Sequence, residues 1–271
     1  MSEVKVLSID TITKLKDEHA GQVVIAGSHG GLYAGHCAAE GRVRAVILND
    51  AGVGRERAGI GSLDYLEGLG IAAATADGQS CRIGDGNDMK TAGVVSFVNK
   101  PAAALGCVAG QAVSDCADRM RAATHSTAPV PPQAEARFVV RSDPGKPRVI
   151  VMDSLSLIDP SDAGAIVITA SHGALLGGDP GTALGADAVA AVFSDAGFGK
   201  DRAGITRLPV LDGRGVAAAT VSADSARIGD GRSVHADGVL SCVNETAAAM
   251  GIGVGDTVAQ FIDKVTRHAG A

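Results

Sequence analysis

The sequence predicts an α/β chain in which two similar, mostly parallel sheets arise by internal duplication and are related by a pseudo-twofold axis. Three observations predict it. The stretch Val23-Val-Ile-Ala-Gly-Ser28-His29-Gly30-Gly31 returns as Ile166-Val-Ile-Thr-Ala-Ser171-His172-Gly173-Ala174. Asn49-Asp50-Ala51-Gly52-Val53-Gly54 returns as Ser194-Asp195-Ala196-Gly197-Phe198-Gly199. Short apolar runs then alternate with helical segments in the same order twice, the pattern of a parallel sheet with crossover helices.

The chain is taken as two repeats, 1–123 and 147–271, joined by a Pro-rich linker over 124–146. Each repeat is long enough to bury its own core. The repeats open on Val4–Asp10 and Arg148–Asp153, β-rich runs that end in Asp. In the first repeat, strands are expected over Gln22–Gly27, Val43–Leu48, Ile71–Ala76 and Val94–Val98. Helices are expected over Leu32–Glu40, Glu56–Leu69, Ala102–Leu105 and Val113–Ala123. Asp77–Gly93, polar and glycine-rich, reads as a long functional loop. The second repeat follows the same order from Ala165 to His268. Ala-Pro-Val-Pro-Pro and Ser-Asp-Pro-Gly resist helix and central strand in the linker, although Arg137–Arg141 has the composition of an edge strand.

Of the 271 residues, 46% are hydrophobic, without a run of about 18 apolar residues, so no membrane span is expected. The net charge of −6, the 3% aromatic content and the lack of Trp argue against nucleic-acid binding, which needs cationic and stacking side chains. Five irregularly placed cysteines form neither a disulfide framework nor a CxxC zinc site, and the N-terminus lacks a signal-peptide pattern, so a cytoplasmic protein is expected. Asn244-Glu-Thr246 fits a glycosylation sequon but carries no weight in that setting. A homo-oligomer is compatible with the sequence, and twin domains of this kind suggest a cleft shared across their axis.

Ligands of open parallel sheets collect beyond the carboxyl ends of the strands, where both repeated motifs fall. His29 and His172 are candidate proton carriers, since imidazole titrates near neutrality. Gly30 and Gly173 would let a ligand approach the backbone. Ser28 and Ser171 are candidate nucleophiles or donors to a substrate oxygen. Adjacent Ser and His do not face each other within one repeat, so a triad would have to pair Ser28 with His172. Asp50 and Asp195 would orient a His, or cap the turns that follow them. Gly52 and Gly197, like Gly30 and Gly173, are candidate substrate-binding positions whose N–H groups can form an oxyanion pocket. Together with the two histidines they also form the set from which a divalent-metal site would be drawn, without a local ligand motif to support it.

Arg57 and Arg202 recur in Arg-Ala-Gly-Ile, read as a first helical turn, where a cation opposes the helix dipole and so suggests an anionic partner. Arg82 and Arg227 recur in Ser-x-Arg-Ile-Gly-Asp, either pairing with Asp85 and Asp230 or gripping a substrate carboxylate. Gly52-Val-Gly54 is followed by Arg57 where a dinucleotide fingerprint needs glycine, and no Walker sequence exists, so a nucleotide cofactor is not expected. The repeats differ at Tyr33/Leu176, Cys81/Ala226, Lys90/His235 and Gly31/Ala174, differences that would divide binding from catalysis at a single site.

This inventory suggests an enzyme acting on a small polar or anionic molecule, hydrolysing an amide or cyclic amide C–N bond. Two alternatives use the same residues: a lyase or isomerase moving a proton beside a carboxylate, and a non-catalytic protein that binds a small anion. A purely structural role explains the fold but not the recurring polar residues.

Overall fold

The computed structural model describes residues 3–269. They form two compact units. The first takes the chain up to Val53, Arg57–Ala134 and Phe198–Arg202; the second takes Gly54–Glu56, Glu135–Gly197 and the chain from Ala203.

In the first unit the order is β1 (Val6–Ile9), β2 (Val23–His29), α1 (Leu32–Glu40), β3 (Ala45–Asn49), α2 (Ser62–Gly68), β4 (Ala72–Ala76), α3 (Gly86–Ala92), β5 (Val95–Val98), α4 (Lys100–Ala104) and α5 (Val113–Met120). The five strands lie in sequence order. β1 to β4 are parallel and β5 is antiparallel. Side chains alternate across the sheet. Val23, Ile25, Ala45 and Ile47 pack with Met89, Val113, Cys116 and Met120 on one face. Val24, Ala26, Val46 and Leu48 pack with Ala34, Ala38, Leu63 and Leu66 on the other. Helices on both faces require strands that are apolar throughout, and these strands read that way. Each fully buried aliphatic side chain contributes about 1.5–3 kcal/mol.

The second unit adds an edge strand, β6 (Arg137–Arg141), antiparallel to β7 (Val149–Met152). It continues with β8 (Ile166–His172), β9 (Ala190–Ser194), α6 (Arg207–Asp212), β10 (Ala217–Val221), α7 (Gly231–Asp237), β11 (Leu240–Val243), α8 (Glu245–Ala249) and α9 (Val258–Ala269). The six strands run β11-β10-β9-β8-β7-β6, with β7 to β10 parallel and β11 antiparallel. Among the described residues no helix is long and apolar enough to cross a membrane.

Several local expectations need correction. The helix expected over Glu56–Leu69 is a 3-10 stretch, Arg55–Ile60, followed by the shorter α2, because Glu56 (φ 53°) and Arg57 (φ 59°) are left-handed and cannot sit in a right-handed turn. The loop expected over Asp77–Gly93 contains α3, capped by Asp85, whose carboxylate accepts the Asp88 N–H at 2.8 Å. In the second unit α1 has no helical counterpart. Short 3-10 turns at Leu176–Gly178 and Pro180–Thr182 stand there, punctuated by left-handed Gly177 and Gly178 and by Pro180.

One pair of buried polar residues ties each sheet to its helices. Asn99, 4% exposed, accepts the N–H groups of Ala73 (2.9 Å) and Ala102 (3.1 Å) and donates to the Ile71 carbonyl (2.8 Å). Asn244 does the same with Ala218, Ala247 and Val216, each at 2.9 Å. Either Asn→Ala change leaves two buried N–H groups without an acceptor. Each variant is expected to lose about 2–4 kcal/mol, read as a lower urea midpoint with unchanged slope.

Candidate functional site

In both units the parallel strands end at the recurring motifs. β2 stops at His29, which lies in register with Asn49, and β8 stops at His172 in register with Ser194. The residues just beyond form a polar rim.

Ser28 Oγ accepts the Ile12 N–H at 2.9 Å and donates to Thr11 Oγ1 at 3.4 Å. Ser171 Oγ likewise accepts the Leu155 N–H at 2.8 Å. The recurring hydroxyls therefore hold the first turn after β1 and after β7.

Asp50 is 4% exposed, and its Oδ1 accepts the N–H groups of Gly52 and Gly78, both at 3.0 Å. Burial raises the Asp50 carboxyl above its ordinary value, against the pull of those two N–H groups and of the Ser96 hydroxyl. Asp195 Oδ1 accepts from Gly197 (2.9 Å) and Ala223 (3.0 Å). Each carboxylate thus closes its own turn and fastens it to the segment after the next strand. Gly52 (φ 71°) and Gly197 (φ 70°) supply the left-handed backbone of these turns.

The turns are unusual. Ala51, Gly52, Val53 and Gly54 are consecutively left-handed, as are Ala196, Gly197, Phe198 and Gly199. For a β-branched residue such as Val53 (φ 64°) this is an outlier. A left-handed conformation costs about 1–2 kcal/mol for each non-glycine residue, and strain of this kind gathers at functional sites.

The imidazoles share one geometry. His29 Nδ1 accepts the Gly31 N–H at 3.1 Å, and His172 Nδ1 accepts the Ala174 N–H at 3.3 Å. An Nδ1 that accepts leaves the ring proton on Nε2. His29 is partly buried, and burial lowers its pKa from 6.5 to about 4, so the ring is neutral at pH 7. With its Nδ1 accepting and its pKa lowered by burial, the His29 ring carries its proton on Nε2 at pH 7.

Gly30 and Gly173 approach the chain's own backbone. A Cβ on Gly30 would come 2.6 Å from the Gly59 carbonyl, and one on Gly173 would collide with the Gly204 carbonyl.

The arginines divide into two kinds. Arg57 and Arg202 are exposed and lie over aromatic rings, Arg57 above Phe97 at 5.4 Å and Arg202 above Phe198 at 4.7 Å. Both are left-handed, φ 59° and 56°, so the helix-dipole argument for an anion no longer applies to them. Arg82 and Arg227 staple loops. Arg82 pairs with Asp88 (3.2 Å) and Asp201 (2.7 Å) and lies 4.0 Å from Asp85, while Lys200 joins Asp88 at 2.8 Å. Arg227 pairs with Asp230 (2.8 Å) and Glu56 (3.0 Å).

Sequence reasoning missed a second polar pair on the rim. Thr75 Oγ1 lies 3.0 Å from Ser96 Oγ, and Thr220 Oγ1 lies 3.1 Å from Ser241 Oγ. Their signal was present in the repeated Ala-Ala-Ala-Thr and Ser-x-Val-Asn strings. Among the described residues no three His, Cys, Asp or Glu side chains gather as a metal-holding group. A cavity of about 480 Å³ in the second unit, lined by Val189, Arg214, Val216 and Met250, and one of about 320 Å³ in the first, lined by Val43, Ile71 and Ser126–Val130, open at the amino ends of the strands instead.

No protein-family model matches the chain, and neither the curated proteins nor the solved structures contain a match.

Two outcomes follow from this geometry. Ser28→Ala is expected to lower stability by about 1–2 kcal/mol by stranding the Ile12 N–H, a loss measured by urea denaturation. His29→Asn keeps an acceptor for the Gly31 N–H but cannot be protonated. Because the folded state holds His29 at about 4 against 6.5 unfolded, the unfolded chain binds the extra proton, and wild type loses stability as pH falls through that window. The loss is at most about 3 kcal/mol. The Asn variant is expected to lack this component. The opposite contribution of Asp50, whose raised pKa favours the folded state as pH falls, is common to both proteins and drops out of the difference in urea midpoints between pH 7 and 4.5.

Proposed function

We propose that the chain is a cytoplasmic enzyme that hydrolyses the C–N bond of a small polar or anionic amide or cyclic amide at the carboxyl ends of its central strands. The supporting observation is His29, whose Nδ1 accepts the Gly31 N–H and whose burial keeps the ring neutral, a backbone contact that His172 repeats with Ala174. A neutral ring with its proton fixed on Nε2 is a donor for a carbonyl oxygen and for the oxyanion formed when that carbonyl is attacked. Ser28 and Ser171 hold main-chain N–H groups, which favours water as the nucleophile. In this reading water adds to the amide carbon and its proton passes to the Asp50 carboxylate. The carboxyl returns the proton to the leaving nitrogen as the C–N bond breaks, giving an acid and an amine. Burial raises the Asp50 carboxyl above its ordinary value, which favours its taking a proton from water and returning it to the leaving nitrogen. The exposed Arg57 and Arg202 are the cations left to attract an anionic substrate. The five free cysteines accord with a reducing compartment.

One observation favours a second reading. A neutral imidazole donor and a carboxyl of raised pKa on the same strand-end rim, with both serine hydroxyls engaged, also suit moving a proton next to a carboxylate without any hydrolysis.

The test is a panel of small amides, cyclic amides and 2-substituted carboxylates, assayed in D2O with wild type and two double variants. His29→Asn/His172→Asn keeps the turn acceptors and removes the donors. It is expected to fold normally and lose turnover by about 10²–10³-fold. His29→Gln/His172→Gln places an amide N–H near Nε2 and is expected to keep more activity. Turnover unchanged in the Asn pair sinks the reading; deuterium exchange into a carboxylate without hydrolysis selects the second one.

A further inference from the structure

Arg207, at the start of α6, is 3% exposed, yet no carboxylate pairs with it among the described residues. Its backbone N–H donates to the Gly173 carbonyl at 2.9 Å, as the Ser62 N–H donates to Gly30 at 2.8 Å in the first unit. The side chains at these matched positions differ sharply. In the first unit α1 crosses closely over Ser62, and a Cβ on Gly35 would come 2.8 Å from the Ser62 Cβ. In the second unit the irregular Leu176–Thr182 segment replaces α1, and the guanidinium reaches beneath it.

The guanidinium is held in a defined plane. Nη1 donates to the carbonyls of Thr182 and of Ala183 (2.7 Å), and Cζ lies 5.6 Å from the centre of the Phe193 ring. Nε is buried without a hydrogen-bond partner, and among the described residues the bonds of the side chain are made by Nη1 alone. The Nε–Nη2 edge carries two parallel N–H groups, spaced to meet the two oxygens of a carboxylate. A buried cation without a counter-ion is costly, so a chain would avoid one unless an anion completes it. Burial alone lowers the Arg207 pKa only to about 10, so the group stays charged at pH 7.

We infer that Arg207 is a binding site for the carboxylate of a small molecule, gripped side-on by Nε and Nη2 while Nη1 stays on the Thr182 and Ala183 carbonyls. A single planar carboxylate matches one guanidinium in charge and shape, and the 3% exposure of Arg207 favours a small ligand. The assignment does not rest on the role proposed for His172, because it needs only the arginine and its neighbours.

The experiment titrates the full-length, ¹⁵N-arginine-labelled protein with sodium acetate, with inorganic phosphate and with sodium chloride at matched ionic strength. The Arg207 Nε–H signal is identified in wild type by its nuclear Overhauser contact with the Phe193 ring, so no variant has to fold. Acetate is expected to move this signal downfield with saturation and to raise Tm above the chloride control. Arg207→Lys, which keeps the charge but not the fork, is expected to abolish the acetate-specific rise in Tm. An Nε–H signal unmoved by acetate overturns the inference. A response to phosphate but not to acetate overturns the assignment to a carboxylate.

Discussion

Parallel strands that end in mid-sheet leave backbone N–H groups that must find acceptors, and in this chain one buried carboxylate oxygen in each unit takes two of them. Asp50 Oδ1 gathers Gly52 and Gly78, and Asp195 Oδ1 gathers Gly197 and Ala223. Fastening the turn after β3 to the segment after β4 fixes the path of both. The following residues are then carried into left-handed backbone, Ala51 to Gly54 and Ala196 to Gly199, and the 3-10 stretches at Arg55–Ile60 and Lys200–Ile205 inherit that strain. The rim, the exposed arginines and the close approach of Gly30 to Gly59 all depend on this fastening.

Strand positions, apolar faces and the α1 boundaries were legible because they rest on periodicity: Val23–Ala26 and Ala45–Leu48 are apolar on both faces, as a covered parallel sheet demands. The left-handed turns were not legible. Glu56 and Arg57 are ordinary helix formers, and tertiary contacts, the Asp50 turn, the Gly59 N–H on the Val53 carbonyl and the Arg227–Glu56 pair among them, hold them outside a helix. Asp85 and Asp230 were visible as polar residues, but their role as caps of α3 and α7 depends on N–H groups three residues on, which composition does not single out.

Recurrence of polar residues also proved an incomplete guide to chemistry. Ser28, Arg82 and their counterparts recur because they satisfy backbone and stitch loops, tasks any duplicated fold must repeat. Arg207 has no counterpart in the first unit and so escaped a comparison built on likeness. It lies beneath the turns that stand in the second unit where α1 stands in the first. His29 accepts a backbone N–H at Nδ1, which places its ring proton on Nε2, and the functional reading rests on that group.

That reading reduces to one atomic claim, that His29 is neutral at pH 7 with the proton on Nε2. The direct measurement is ¹⁵N NMR of the His29 ring at neutral pH, assigned with the His29→Asn variant. The account predicts a pyridine-like Nδ1 and a protonated, pyrrole-like Nε2. A protonated Nδ1 with a bare Nε2, or an imidazolium, would contradict it.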